Sequence, residues 1–432
     1  MKQAVWKELS SSERAALLAR PGGRSDAALK ARVSEIVGEI RTGGWDALCR
    51  VAQAIDGAPP FLVPVAGPAA EARRHLSAGQ LAALALAVAN IRAFHAACRP
   101  QDVAVETMPG LTVRKLWRPI DRVGLYVPGG ATPLFSTLLM LALPAEAAGV
   151  RELVAVTPPR ADGSLDPLVA LAAEQCGIEA VWTVGGAQAI AAMAFGAGPI
   201  ARCDKICGPG NAWVAEAKTQ VAALSGGPAI DMPAGPSELL VIADDGADPS
   251  VVAADLLSQA EHDPQAQVLL AATSAELLAA VERELGRQVA ELPRRPIAEA
   301  SLGAARLIRC ASLGEAADVA NAYAAEHLSL NVADPAALLP LIRNAGSIFA
   351  GRRAAETFGD YCAGSSHVLP TDGAARAWSG VSVLTFMKAM TVQELTADAA
   401  RAIAPAAAAL ARLEGLEAHA RAADARLAEV AA

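Results

Sequence analysis

Histidine is scarce in this 432-residue chain, with six copies, and aromatic residues make up only 4% of it. Surplus basic charge is missing too: 37 Lys and Arg stand against 45 Asp and Glu, a net charge of −8. That balance argues against partners held through a phosphate backbone or an anionic membrane surface, which call for excess cations. The seven cysteines are odd in number and irregularly spaced, so no disulfide framework is expected and a reducing, cytoplasmic location is. Cys203 and Cys207 stand C-x3-C with no second pair, which reads as buried or inert thiols rather than structural zinc. Long apolar runs are absent as well. Residues 136–145 are interrupted by Pro144 and fall short of the ~20 residues of a membrane span, and the N-terminus offers no signal-peptide core.

What is present is core material: 53% hydrophobic residues against 19% charged, enough for two or three domains. The first ~100 residues read as helical, with Ser10-x-x-Glu13 as a capping box and apolar residues at helical spacing over 27–40 and 81–97. His75 and His95 fall there without ligand-type neighbours and read as surface or core histidines. From Val113 onward short apolar runs alternate with helical stretches. One series has runs at 123–127, 153–156 and 180–184; a second has them at 239–242, 268–270, 306–308 and 328–330. Strands alternating with helices imply parallel sheets with helical crossovers. The expected fold is α/β: two Rossmann-like lobes, N-terminal helices and a small helical C-terminal tail domain. The boundaries read as 1–118 (helical, packing on the lobes), 119–237 (first lobe), 238–375 (second lobe) and 376–432 (tail).

Glycine-rich turns follow the first series, at 128–133, 185–188 and 207–211, and each leads into a helical pattern. Exposed backbone N–H groups at such helix starts can hold a pyrophosphate. None is a G-x-G-x-x-G fingerprint, and each alone reads as a structural turn. Three at the carboxyl ends of strands in one lobe favour a nucleotide, with Tyr126 packing on or bonding to it and Gln188 and Asn211 donating amide bonds.

Four of the histidines sit in polar clusters: 258–264 with Gln259, Glu261 and His262; Glu326-His327; Asp360 followed by His367; and Glu414 with His419. Gln259 and His262, three apart, project from one face if helical. With Asp360 and His419 they make one amide oxygen, two imidazoles and one carboxylate, a thiolate-free set that suits zinc or another first-row divalent ion. Glu326 and His327 supply acid–base groups, and as sequence neighbours they are expected to approach a substrate from different sides.

The motifs carry a resemblance along nearly the whole chain. They are Pro119-Ile120-Asp121-Arg122-Val123-Gly124-Leu125-Tyr126-Val127-Pro128-Gly129-Gly130, Val184-Gly185-Gly186-Ala187-Gln188-Ala189-Ile190, Gly208-Pro209-Gly210-Asn211-Ala212, Ala234-Gly235-Pro236-Ser237-Glu238, Leu257-Ser258-Gln259-Ala260-Glu261-His262, Glu326-His327-Leu328 and His367-Val368-Leu369-Pro370-Thr371. In these the chain resembles the histidinol dehydrogenases. The resemblance implies oxidation of L-histidinol to L-histidine in two NAD-dependent steps through the aldehyde, the last steps of histidine biosynthesis. It implies one zinc per site on Gln259, His262, Asp360 and His419, and an acid–base pair in Glu326 and His327. It implies NAD contacts at Tyr126, Gln188 and Asn211, and substrate contacts at Ser237, Glu414, His327 and the zinc ligands. It also implies a homodimer in which the C-terminal tail completes the partner's site. Ser366 stands where the family motif usually has Asn, Ala325 where Pro is common and Asp263 where Gly is usual; none removes a ligand or an acid–base group.

The chemistry agrees with these roles. A base with an ordinary pKa near 6.5 suits removal of a hydroxyl proton at His327, and Glu326 can activate the water that adds to an aldehyde. His367 is a lesser candidate for substrate contact. A paralogous dehydrogenase acting on another small alcohol, such as sulfopropanediol, would call for Arg or Lys where Ser237 and Glu414 stand. A catalytically silent scaffold would be expected to have lost Glu326 or His327. A thiol-dependent aldehyde dehydrogenase has only Cys362 near the proposed site, with no motif around it.

Overall fold

The computed structural model describes residues 1–21, 26–129, 134–232 and 235–431. Gly130–Pro133 of the first glycine turn and Ala234 of the linker motif lie outside them. The chain divides into two compact units, one of Met1–Cys98 with Ile120–Phe386 and one of Arg99–Pro119 with Met387–Ala432.

The larger unit holds two six-stranded sheets. The first runs in the order Phe61–Pro64, Ala180–Thr183, Glu152–Thr157, Arg122–Tyr126, Lys205–Cys207, Ala229–Ile230. All its pairs are parallel except the edge strand Phe61–Pro64, which runs antiparallel to Ala180–Thr183. The second is parallel throughout: Lys2–Val5, Arg306–Arg309, Gln267–Ala272, Glu238–Ala243, His327–Asn331, Ser347–Ala350. Crossover helices cover both faces, so central strands such as Glu238–Ala243 and Gln267–Ala272 are buried at every residue. Each large aliphatic side chain enclosed this way contributes about 1.5–3 kcal/mol. This is the expected pair of Rossmann-like lobes.

The N-terminal region is mainly helical, with the capping box at Ser10 and Glu13 formed, but it also lends one short edge strand to each sheet. Four residues pairing through their backbone leave no period for a sequence pattern to show. The apolar helix Phe135–Ala148 runs on through Pro144 and is buried along most of its length. The helix Ala78–Ala97 is long and apolar enough to cross a membrane by length and composition alone. It packs instead on Phe135–Ala148, and its Arg92 pairs with Glu146 at 3.1 Å.

The smaller unit is a three-stranded antiparallel sheet, Val103–Met108, Leu111–Pro119 and Met387–Leu395, followed by the helices Ala397–Leu413 and Glu417–Ala431. The tail is therefore not helical from its start. In Met387–Leu395 the alternation of apolar and polar residues is broken at Ala389-Met390 and again at Gln393-Glu394, and the segment pairs with Leu111–Pro119 over nine residues.

Candidate active site

In the first sheet the strand order reverses between Arg122–Tyr126 and its neighbour Lys205–Cys207, the switch point where open α/β sheets hold ligands. A cleft of about 720 Å³ opens there, lined by Tyr126, Gln188, Asn211, Ser237 and His262 among others. The turn after Lys205–Cys207 is tightly built. Gly208 has φ 127°, and a Cβ on it would lie 2.1 Å from the Tyr126 carbonyl oxygen. Beneath the turn a buried Lys218–Asp231 ion pair grips it: Lys218 Nζ donates to the Gly208 carbonyl at 2.8 Å and the Gly208 N–H donates to Asp231 Oδ2 at 2.7 Å. Asn211 Oδ1 caps the helix Ala212–Ala223 by accepting from Trp213 and Val214, which leaves its NH2 as the group to donate. Tyr126 is buried, its phenol oxygen accepts from the Gly186 N–H at 3.2 Å, and burial lifts its pKa to about 12. Gln188 donates to Asp56 Oδ2 at 3.0 Å.

The second lobe presents its polar residues at the amino ends of its strands. Ser237 immediately precedes Glu238–Ala243, and Glu326 immediately precedes His327–Asn331. The turn before Glu326 carries Ala324 at φ 56°, a left-handed conformation unusual for a residue with a Cβ. Arg20 Nη2 fastens it through the Tyr323 carbonyl at 3.0 Å. Glu326 Oε2 accepts from the Glu238 N–H at 2.8 Å and lies 3.6 Å from His327 Nδ1. The two side chains thus converge, and the expectation that they approach from different sides is corrected: the carboxylate turns back along the strand edge toward the imidazole.

His327 is surrounded by acid. Nδ1 is 3.7 Å from Glu356 Oε1, Nε2 is 3.4 Å from Asp360 Oδ1, and the ring stacks on Phe349 at 5.8 Å. His327, Glu356 and Asp360 form a buried group whose potential ligand atoms lie within 4.8 Å of one another. Burial pulls the His327 pKa down, but Glu356, Glu326 and Asp360 outweigh it and raise it to about 10. Burial lifts Glu326 to about 8 and Glu356 to about 8, against the opposing pull of His327. Asp360 goes the other way: burial would raise it, but His327, His367 and His262 hold it below the usual carboxylate range. Glu356 is the member of this group that sequence reading missed. Its only signal is the Glu356-x3-Asp360 spacing, which puts both carboxylates on one helical face.

Gln259 and His262 do not share a helix. The helix Pro249–Ala260 ends before His262, with Glu261 as its C-cap and Asp263-Pro264 continuing the turn. Gln259 is therefore buried inside, while His262 stands on the cleft wall and reaches solvent. Desolvation lowers the His262 pKa, and the Asp360 charge opposes that. His367 has both ring nitrogens engaged, Nδ1 with the Asp360 carbonyl at 2.9 Å and Nε2 with Thr137 Oγ1 at 3.2 Å, which props the Asp360 segment. The departures from the family pattern are locally satisfied: Ser366 Oγ accepts from Val368 N and Asp263 Oδ1 from Gln265 N.

Several of these atoms lack partners. Both amide atoms of Gln259, both ring nitrogens of His327, Asp360 Oδ1 and Glu356 Oε2 are buried without a hydrogen bond. Each such atom costs about 1–3 kcal/mol, a penalty that a divalent ion and a polar ligand would remove. Amide, imidazole and carboxylate donors suit a first-row divalent ion, so Gln259, His262 and Asp360 fit the metal reading. Glu414 and His419 belong to the smaller unit and are exposed on it. They do not lie on one helix: Glu414 is the C-cap of Ala397–Leu413, Gly415 turns the chain at φ 75°, and His419 lies in the first turn of the next helix, Glu417–Ala431.

A family model described as histidinol dehydrogenase matches residues 19–427. A histidinol dehydrogenase of Xanthomonas campestris pv. campestris (strain 8004) is 49% identical over 429 residues, covering 99% of each chain. One from Xylella fastidiosa (strain 9a5c) is 47% identical over 431 residues, covering 100% of each. The crystal structure of histidinol dehydrogenase from Elizabethkingia anophelis superposes with a TM-score of 0.95 at 37% identity, covering 100% of this chain and 99% of that one. Sequence and fold thus agree, and the chain belongs to the histidinol dehydrogenase family of oxidoreductases.

Proposed function

We propose that this chain oxidises L-histidinol to L-histidine through L-histidinaldehyde, in two NAD-dependent steps, at the cleft and the buried group beside it. Family membership supports the reaction. The observation that carries the site is the set of buried, unpartnered polar atoms on Gln259, His327 and Asp360, with His262 standing on the cleft wall. Gln259, His262, Asp360 and His419 would hold zinc, and Tyr126, Gln188 and Asn211 would hold NAD. When bound, the ion supplies a fixed positive charge that orients the substrate's nitrogen atoms, and NAD supplies the hydride acceptor.

Ser237, Glu414 and the zinc ligands bind and orient the substrate beside His327. His327 takes the hydroxyl proton at Nε2, on the Asp360 side, while Glu326 and Glu356 at Nδ1 stabilise the charge it gains. A base must be neutral, and Asp360, when it holds the ion, would lend less of its charge to His327. Glu326, its Oε2 fixed by the Glu238 N–H, draws the proton from the water that adds to the aldehyde. The chain works as a cytoplasmic homodimer in which the tail brings Glu414 and His419 to the partner's site. Support for this comes from the free state of all seven cysteines and from apolar side chains left exposed on the tail, Leu413 at 84% and Leu410 at 63%.

Chelation tests the metal assignment. Exhaustive removal of metal is expected to abolish turnover and zinc to restore it, and His262→Asn should lose both bound zinc and activity. Full turnover by demonstrably metal-free protein would contradict the assignment.

A further inference from the structure

The cleft contains a carboxylate that no step of this reaction uses. Asp56 follows the helix Ala27–Ile55 as its C-cap and lines the cleft with Ile36, Ile55, Gln188, Asn211 and Trp213. Its Oδ2 accepts two hydrogen bonds, from the Gly185 N–H at 3.1 Å and from Gln188 Nε2 at 3.0 Å. Both donors lie where the strand Ala180–Thr183 gives way to the helix Gly186–Phe195, so Asp56 stands at the carboxyl edge of the first sheet. Among the described residues, Oδ1 accepts no hydrogen bond, which leaves it for a donor from a ligand.

We propose that Asp56 binds the 2′,3′-diol of the adenosine ribose and thereby sets the preference of the site for NAD over its 2′-phosphorylated form; this rests on the cleft being the cofactor site. A carboxylate with one oxygen pinned by the protein and one open is an acceptor matched to vicinal hydroxyls, and in dinucleotide folds an acidic residue performs that task. Here the acid comes from an N-terminal helix rather than from within a G-x-G-x-x-G unit, which is why no fingerprint announces it. Ile36, Ile55 and Trp213, which line the same cleft, offer the apolar and aromatic surface that an adenine adjoining that ribose needs. A 2′-phosphate at the same place would bring a dianion against the carboxylate. The cation lining this cleft, Arg32, is already engaged by Glu35 at 2.8 Å.

Equilibrium binding of NAD, NADP and 2′-deoxy-NAD, read by isothermal titration calorimetry as dissociation constants that should move as the KM values do, tests this together with steady-state kinetics of the zinc-loaded enzyme. Wild type is expected to use NAD best and to show a KM for 2′-deoxy-NAD raised at least about tenfold, the worth of a hydrogen bond to a charged group. Asp56→Asn should raise the KM for NAD by roughly 10–100-fold with a smaller change in kcat. The same variant should affect 2′-deoxy-NAD much less and narrow the gap between NADP and NAD. An equal rise for NAD and 2′-deoxy-NAD would overturn the proposal, because Asp56 would then act only by holding Gln188 and Gly185. An unchanged KM for NAD would overturn it as well. If Asp56→Asn does not fold, equal KM values for NAD and 2′-deoxy-NAD in wild type suffice to overturn it. Asn211→Ala separates the two levels: it should raise the KM for NAD and its deoxy analogue alike, and no change would remove the cleft assignment itself.

Discussion

Glu326, Glu356 and Asp360 all approach the buried His327 imidazole within 3.7 Å. Phe349 stacks on the ring from one side, and it can do so because position 359 is glycine, where a Cβ would lie 2.5 Å from the Phe349 ring. Gathering titratable groups in one buried place costs stability through desolvation and mutual repulsion, so their presence here points to chemistry rather than stability. Glu326→Gln keeps shape and removes a base. It is expected to impair oxidation of supplied histidinaldehyde more than hydride transfer from histidinol. His327→Asn should impair both steps, because each removes a hydroxyl proton, with losses of roughly 10²–10⁴-fold. Single-turnover NADH formation with each substrate supplied separately reads the difference. Equal losses in both steps for Glu326→Gln would show that the pair, whose tips are 3.6 Å apart, acts as one unit.

Among the elements, the helix Ala78–Ala97 carries a titration of its own. His95 is fully buried in its last turn, neither ring nitrogen is hydrogen-bonded, and the Phe94 ring meets it edge-on at 5.1 Å. Burial lowers its pKa from 6.5 to about 4. The unfolded chain therefore binds this proton more readily than the folded one. The contribution to stability is complete above pH 6.5, falls as pH drops toward 4 and then levels off. Urea midpoints are expected to fall between pH 7 and pH 5 in wild type, and by less in His95→Leu; the same fall in both would place the effect elsewhere. The sequence announced elements unevenly. Central parallel strands such as Glu238–Ala243 are apolar at nearly every position because both faces are covered, so they were readable. Lys2–Val5, Phe61–Pro64 and Met387–Leu395 exist through pairing with distant partners and left no period to read. Spacing alone put Gln259 with His262 on one helical face, and the chain turns between them at Glu261. Glu356 and Asp56 acquire their surroundings only in the folded molecule, the one beside His327 and the other beside Gln188.

For the whole molecule, the ligand set proposed for zinc draws on both units: Gln259, His262 and Asp360 from the larger, His419 from the smaller. If the tail closes a partner's site, inactive His262→Asn and His419→Asn chains should restore activity when mixed, since a mixed dimer then assembles one site with all native ligands. No activity after verified subunit exchange would mean that each chain closes its own site. The central claim is the complete oxidation of one substrate at one site, and its most direct test is the NADH formed per L-histidinol consumed by zinc-loaded protein. The account predicts two NADH per histidinol, with L-histidine as the product and no NADH after chelation. One NADH per histidinol with histidinaldehyde accumulating, or none from folded and zinc-loaded protein, would contradict it.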